Sequence, residues 1–509
     1  MANTNEKIII LEKNESSPRG AGASSDIAYV PGITCGKSEY ANVPTLCNTL
    51  ADLELFFGTD DDGAAVEETI NCDGTYTVGE HAFKVGDPDI SYLYATELLN
   101  AGISVYYEAI VLTEEDKTAL TMEKQALAMQ NKVLTSKLAA LNKEKAAEEA
   151  KTDKDTAKIT ELAAEISIVE AQIEEDSERA NQITADLATS NIEYLYAHMA
   201  ERFSALTDKG AYSIKYITSG GYPTFVDYTV NEAGVLNNEI ATAQLAAAAA
   251  RGDAVAIIDH GNNRDKALGA TNPDSIYKAI NTFNWGTDGS YGTIFTPWAT
   301  YSCPKVGTVV FPASFGYLMC LAKAIKTSPN WLAMAGISRG QVPYIQALNT
   351  KHVLSNMIAE DYQPRHGADG HNVSVNAITY IRPYGLTMWG NRTLEKIAPN
   401  GTTALAALNT RNMVSDIKKV AYNTATALMF EQDGEVLWNR FKAGISPLLD
   451  QIRSGYGISK YSIIRNKTKA NGNALDRGEL SATIRIYPIN PIEYFEITVA
   501  VADEDVSVS

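Results

Sequence analysis

The sequence predicts a multidomain fold of α/β plus α+β class: a three-layer α/β domain, a helical coiled-coil hairpin inserted into it, an α+β domain, and extended β segments at both ends. Three observations carry this. Strand and helix patterns alternate through residues 193–345. Residues 113–192 are rich in Ala, Glu, Lys and Leu and hold no Gly, Pro or Trp. Short β-rich runs stand at the two ends of the chain with no obvious neighbour in sequence.

The alternation begins with SIKYIT, a strand, followed by Gly220-Gly221 and the helix VLNNEIATAQLAAAAAR. GDAVAIID is almost wholly apolar, as buried parallel strands are. PDSIYKAINTF reads as a helix, KVGTVVFP as a strand, and SFGYLMCLAKAIK as a helix capped by Ser314. This order argues for a parallel sheet layered with helices. Upstream, DIAYVPGIT reads as a strand and TLADLELFFG as a helix ending at Gly58. SYLYATELLNAG is a helix with Gly102 past its end, and ISVYYEAIVL is a strand. Residues 25–112 and 193–345 therefore form one discontinuous domain.

The segment 113–192 interrupts it. Leu120, Leu127, Leu134 and Leu141 recur every seventh residue, and Ile159, Leu162, Ile166, Val169 and Ile173 follow a 3-4-3-4 spacing. That is coiled-coil periodicity in two arms. KAAEEAKTDKDTA between them holds no large apolar residue and reads as the turn. Arms of about 30 residues reach about 45 Å. The hairpin is either self-contained or docks on another subunit or an accessory protein.

Residues 346–494 read as the α+β domain. ITYIRPYGLTMWG gives two strands around a turn. Asn412 can cap a helix whose apolar face is Met413, Ile417, Val420, Ala421, Thr424 and Leu428. Trp438, Phe441 and Ile445 continue a buried stripe, Ser446-Pro447 reads as a helix start, and Gly455 lies past that helix's end. ELSATIRIYP and EYFEITVAVA are strands. In residues 1–24, Ile8, Ile9, Ile10 and Leu11 form a strand on the polar linker NESSPRGAGASS; in residues 495–509, Phe495, Ile497, Val499 and Val501 alternate with Glu496, Thr498 and Ala500. A lone strand must pair with its own body or with a neighbour's sheet edge.

Composition narrows function. Over 509 residues the formal charge is -19, which repels phosphate backbones and argues against broad nucleic-acid binding. Cys35, Cys47, Cys72, Cys303 and Cys320 are widely spaced without CxxC, suiting thiols in a reducing compartment. No signal-peptide pattern opens the sequence and no run of about 18 apolar residues occurs, so a cytoplasmic chain without membrane insertion is expected.

Searches for chemistry end without a site. Cys35-Gly36-Lys37-Ser38 resembles the end of a phosphate-binding loop, but the required earlier Gly is Pro31. Gly20 and Gly22 are followed by Ser25, with no preceding strand. RHGADGH places His366 and His371 around Asp369 in a Gly-rich stretch that reads as a solvated loop, with no second ligand cluster nearby in sequence. Asp259-His260 sits at a strand's carboxyl end, where α/β enzymes place catalytic groups, but no GxSxG accompanies it and a capped strand end is expected. No catalytic residue, metal or cofactor is therefore assigned, and an α/β enzyme is the weaker alternative.

Several segments together resemble the tail sheath family of contractile phages and related injection systems. SSDIAYVPGITCGKSEYANVPTLCNTLADLELFFG is similar to that family's opening, SYLYATELLNAGISVYYEAIV to its next helix and strand, and DAVAIID and IFTPWATY to its mid-domain strand and loop. VNAITYIRPYGLTMWGNRTL, the helix with KKV, the Phe430–Phe441 segment with Trp438, and RIYPINPIEYFEITV complete the order. The hairpin is not a common element of the family. Where the family carries paired arginines before its long helix, this chain has Arg411 and then Lys418-Lys419.

The resemblance implies a structural subunit that homo-oligomerises in stacked hexameric rings around an inner tail tube protein, joins baseplate and tail terminator proteins, and contracts to drive the tube through a target envelope. It implies a place in a virion tail assembled in the host cytoplasm, or in a phage-like bacteriocin or secretion system. The terminal strands would be inter-subunit arms. Arg440, Lys442 and Arg453, basic residues near helix ends, are candidate tube-facing contacts on the inner domain. The hairpin tip would lie outside, and removal of 116–188 is expected to leave assembly intact.

Overall fold

The computed structural model describes residues 26–58, 89–226, 238–261, 273–304, 307–349, 363, 373–397, 401–468 and 478–491. Its centre is an eight-stranded sheet. In chain order its strands are β1 (Ile27–Gly32), β2 (Thr45–Cys47), β3 (Ser104–Ala109), β4 (Tyr216–Ile217), β5 (Val255–Ile258), β6 (Gly292–Thr296), β10 (Asn376–Ile381) and β11 (Gly385–Trp389). Their spatial order is β11-β10-β6-β5-β4-β1-β3-β2. All internal pairings are parallel, from Ile27↔Ser104 at one side to Asn376↔Phe295 at the other; only β2 and β11 run antiparallel, at the edges.

Helices cover both faces, and the tyrosines of β1 and β3 show why. Successive strand residues point to opposite faces. Tyr107 meets Phe57 of α1 (Leu50–Phe57) at 4.7 Å and Tyr92 of α2 (Ile90–Ala101) at 6.3 Å between ring centroids. Tyr29, in register with Tyr106, instead meets Phe203 of α5 (Asn191–Ala205) at 6.0 Å. The helices α1 and α2 therefore lie on one side and α5 on the other, with α5 packed on α6 (Glu239–Arg251). Gly102 ends α2 at φ 99°, as read, and Thr49 and Asp52 form a capping box at the start of α1. Burial raises the Cys47 and Cys320 thiols to about 12.

Two long helices, α3 (Glu114–Glu149) and α4 (Thr156–Ala188), interrupt the sheet between β3 and α5. They pack together through Leu141, Leu162, Ile166 and Val169, with Leu134, Leu138 and Ile173 at the margin. The turn is shorter than expected, because α3 continues through Glu149 before the polar residues near Asp153.

The remaining elements are α7 (Pro273–Thr282), β7 (Ala299–Cys303), β8 (Gly307–Phe311), α8 (Ala313–Ile325), α9 (Gly336–Arg339), β9 (Ile345–Leu348), α10 (Leu408–Ala427), α11 (Glu435–Ser454), β12 (Ile458–Asn466) and β13 (Ser481–Pro488). Strands β8, β7 and β9 form a small sheet. A second core of Met413, Ile417, Trp438, Phe441, Ile445, Leu449, Ile452 and Ile458, closed by Trp331, unites α10, α11 and the β12–β13 ribbon.

Five expectations need correction. KVGTVVFP is not a strand of the parallel sheet: Gly307–Phe311 pairs antiparallel with β7 in the small sheet, and β6 (Gly292–Thr296) takes the place beside β5. The boundary at 345/346 does not separate the sheets: β10 and β11 extend the large sheet through β6, where Asn376 donates to Thr293 Oγ1 at 2.9 Å. Ser314 is not a cap. Its helix starts after Pro312, and its buried hydroxyl donates to Asp259 at 2.9 Å. Asn412 is also interior to its helix, donating to the Tyr317 hydroxyl at 3.0 Å. That helix starts earlier because Asn391, from another segment, accepts from the N–H groups of Leu408 and Asn409, satisfying orphan donors that no local residue serves. Ser446-Pro447 does not start a helix, since α11 runs through Pro447. An interior proline costs about 3 kcal/mol, and the unbroken buried stripe Phe441, Ile445, Leu449, Ile452 offsets it.

Candidate assembly surfaces

A buried polar seam joins α10 to the large sheet. Lys215, at the start of β4, is fully buried between Asp26 (2.7 Å) and Asp416 (2.9 Å), and Asn330 also donates to Asp416 at 2.8 Å. Burial by itself lowers the Lys215 pKa, but the two carboxylates raise it above its ordinary value. Lys418 donates to Gly252 O at 3.0 Å and to the Tyr291 hydroxyl at 2.9 Å. Lys419 donates to Ile214 O at 2.7 Å, and burial lowers its pKa to about 8. Arg411 lies 3.9 Å from the Tyr291 ring centroid and donates to Ser290. The basic residues at the position of the family's paired arginines are thus internal ties in this chain.

Asp259 and His260 are buried beneath the surface as well. Asp259 accepts from Ser219 (2.7 Å) and Ser314 (2.9 Å), and burial raises its pKa to about 7. Burial lowers His260 to about 4; its Nε2 is 3.1 Å from Thr296 Oγ1. These contacts lock the end of β5 to its neighbours and leave neither side chain facing solvent, as a capped strand end would.

The ribbon is different. Strands β12 and β13 pair with each other from Ile458↔Pro488 to Asn466↔Ser481, and among the described residues each keeps one open edge. One face rests on α11 through Tyr461, Ile463, Ile484 and Ile486, while Ile464 and Tyr487 are exposed.

The candidate tube-facing residues all lie on α11 and are exposed. At 100° per residue, Lys442 and Arg453 share one flank of the buried stripe and Arg440 lies on the other. Arg440 pairs with Glu431 at 3.4 Å and Arg453 with Asp450 at 2.9 Å. Lys442 forms no ion pair among the described residues. The arm residues Ile8, Ile9, Ile10, Leu11, Phe495, Ile497, Val499 and Val501 lie outside the described residues, as do Cys72, His366, Asp369 and His371.

No protein-family model matches the chain. Curated relatives do. The tail sheath protein of Vibrio phage KVP40 is 23% identical over 180 residues, and that of Enterobacteria phage T4 is 21% identical over 178 residues. The chain is thus similar, over about a third of its length, to the tail sheath proteins of contractile phages. Each alignment takes in 35% of this chain and 25% of the phage protein, so the chain spans about a quarter of the length of the sheath proteins it matches. Likeness to solved sheath-related structures runs further. A chain of the anti-feeding prophage baseplate superposes with a TM-score of 0.50 and 13% identity, covering 97% of this chain and 98% of that one. A chain of the contracted PVC sheath complex of an extracellular contractile injection system gives 0.50 and 12%, covering 98% of each. The sheath fold is thus shared along nearly the whole chain.

Sequence reading missed β12 and so missed the ribbon. It also missed the Lys215 seam. A signal existed there: Asp26, Lys215 and Asp416 are charged residues set directly against apolar runs.

Proposed function

We propose that the chain is the structural subunit of a contractile tail sheath. It polymerises in stacked six-fold rings around an inner tube, held by baseplate and tail terminator proteins, and shortens to drive the tube through a target envelope. The observation that carries this reading is the open-edged β12–β13 ribbon on a body with the sheath fold. An open edge presents unpaired N–H and C=O groups that an extended strand can complete. Ile8–Leu11 and Phe495–Val501 supply such strands to neighbouring subunits, and backbone hydrogen bonds of this kind survive rotation of the bodies they join. Residues 1–24 and 495–509 are then arms, 113–192 an appendage, and α11 with the ribbon the side toward the tube. Sheaths of phage-like bacteriocins and secretion machines need the same subunit; the tube's cargo separates them. The virion tail is the location proposed, with neither nucleotide nor enzymatic step.

Negative-stain electron microscopy of the intact chain beside a variant lacking residues 1–14 tests this. Tubes or stacked rings from the intact chain and none from the variant are expected. Tubes from both would remove the N-terminal arm as essential. Single particles from the intact chain even with the inner tube protein present would overturn the sheath reading.

The tube side has its own test. Reversing charge at Arg440, Lys442 and Arg453 together is expected to weaken co-sedimentation with the inner tube. Lys442→Glu with Arg453→Glu should carry more of the loss than Arg440→Glu, because helical geometry puts those two on one flank. Unchanged co-sedimentation of the triple variant would rule the surface out.

A further inference from the structure

The helices α3 and α4 each carry a second stripe, opposite the one that joins them. Up to Lys143, which stands two residues beyond the inward Leu141, the α3 positions two beyond each inward one are Ala119, Met122, Ala126, Met129, Val133, Ser136 and Ala140. All are exposed, Met122 at 64%, Met129 at 70% and Val133 at 68%, and none is charged. The solvent face of a two-helix pair is ordinarily charged; this one is apolar for about 30 Å. On α4 the outward positions Ala164, Ile168 and Ala171 form a smaller apolar patch, with Ile168 68% exposed.

Charge divides the two faces. Along the stripe, Ala119–Ala140, α3 carries Lys124, Lys132 and Lys137 against Glu123, a net charge of +2, while the whole helix Glu114–Glu149 nets -1. Along Thr156–Ala188, α4 carries eight carboxylates against Lys158 and Arg179, a net charge of -6. Lys132 stands beside Val133, whereas Ile168 shares its face with Glu161, Glu165 and Glu175, all exposed. Lys137–Glu165, at 3.9 Å, Arg179–Glu123, at 2.8 Å, and Lys158–Glu144, at 2.9 Å, join α4 to α3 as ion pairs within the hairpin.

We propose that the outward face of α3 is an inter-subunit surface, and that its occupant is the outward face of α4 in a second copy of this chain. Apolar stripe meets apolar patch, and lysines meet glutamates. The two surfaces differ, so the contact is heterologous; contacts of that type build closed rings or open helical arrays and not two-fold dimers. A symmetric α3–α3 contact would instead set lysine against lysine. The proposal rests on the sheath reading for its geometry, but it is tested by a separate measurement. It also changes the expected part of the hairpin: arms can still hold a polymer without residues 116–188, but the polymer loses a lateral contact.

Two full-length variants decide it, Met129→Cys and Ile168→Cys, carried on differently tagged chains, mixed, concentrated and treated with a short bismaleimide, with wild-type chains as background. Crosslinks between the two tags, from residue 129 to residue 168, are expected, with none from 129 to 129. Crosslinks of 129 to 129, or none at either site, would overturn the contact whether or not tubes are present. Tubes without crosslinks would leave the sheath reading standing, and crosslinks without tubes would leave the contact standing. Met129→Glu with Val133→Glu, at positions already in water, should keep its helical circular dichroism and raise the concentration for assembly about tenfold. Deleting 116–188 should raise it by at least as much. No change in either would also overturn the proposal.

Discussion

Replacing Lys215 by Met lowers stability by about 3–5 kcal/mol at pH 7, the cost of leaving a buried charge without its partner. The loss comes from what remains. Asp26 and Asp416 both lie against the Lys215 ammonium, at 2.7 and 2.9 Å, and the variant leaves two carboxylates without the buried charge between them. The folded pKa of Lys215 is raised, so its contribution is fully present below the unfolded value of about 10.4 and is lost only as pH rises through the folded one. The deficit of the variant should therefore be constant from pH 6 to 9. Denaturant midpoints across that range check it. Neutralising both partners as well, with Asp26→Asn and Asp416→Asn, should recover most of the loss, because no buried charge then needs an answer. A cost under 1 kcal/mol for Lys215→Met alone would mean that the triad does not hold α10 to the sheet.

Asp259→Asn should stabilise the chain relative to wild type at pH 8 and lose that advantage at pH 4, a swing of about 4 kcal/mol. Burial raises Asp259 from 3.8 to about 7. Between those values the folded chain binds a proton that the unfolded chain does not. This group's contribution is therefore present at low pH and lost as pH rises through 7. Asparagine has no proton to lose. His260, the next residue, slopes the other way. Burial lowers it from 6.5 to about 4, so its contribution is present above 6.5 and lost as pH falls toward 4. His260→Gln should accordingly gain on wild type as the solution is acidified. Urea unfolding at pH 4.5 and 8 separates the two. Parallel responses of the two variants, or a flat difference for Asp259→Asn, would show that neither group titrates as its burial demands.

Val255–Ile258 and Ile27–Val30 were legible because each is an apolar run buried on both faces, whereas Gly307–Phe311, also a largely apolar run, belongs to the small antiparallel sheet. The helical pair was legible through its heptads. What stayed hidden depends on partners remote in sequence. Asn391 supplies the cap of α10, and no local pattern near Leu408 announces it. Pro447 reads as a boundary in sequence, and only the packed stripe beneath it shows why the helix continues. The ribbon was missed because β12 is only partly buried and mixes Ser, Lys and Arg with its isoleucines, so it lacks a clean alternation. The placement of Lys418 and Lys419 was equally unreadable. Lysines on a helix read as solvent-facing until the backbone carbonyls of Gly252 and Ile214 are seen to receive them.

The ribbon's composition bears on what happens before any polymer exists. Its two strands hold Lys460, Arg465 and Arg485 and no carboxylate. Arg465 is engaged by Asp433 and Glu435, which leaves Lys460 and Arg485 as the charges it presents. Two ribbons approaching edge to edge bring like charges together, which is how open sheet edges are kept from sticking to their own kind. An acidic segment, such as the sequence Asp503, Glu504 and Asp505, meets no such barrier. The same exposed edge can thus stay monomeric in a crowded pool of identical chains and remain open to a strand of opposite charge, and added salt should erode that discrimination first.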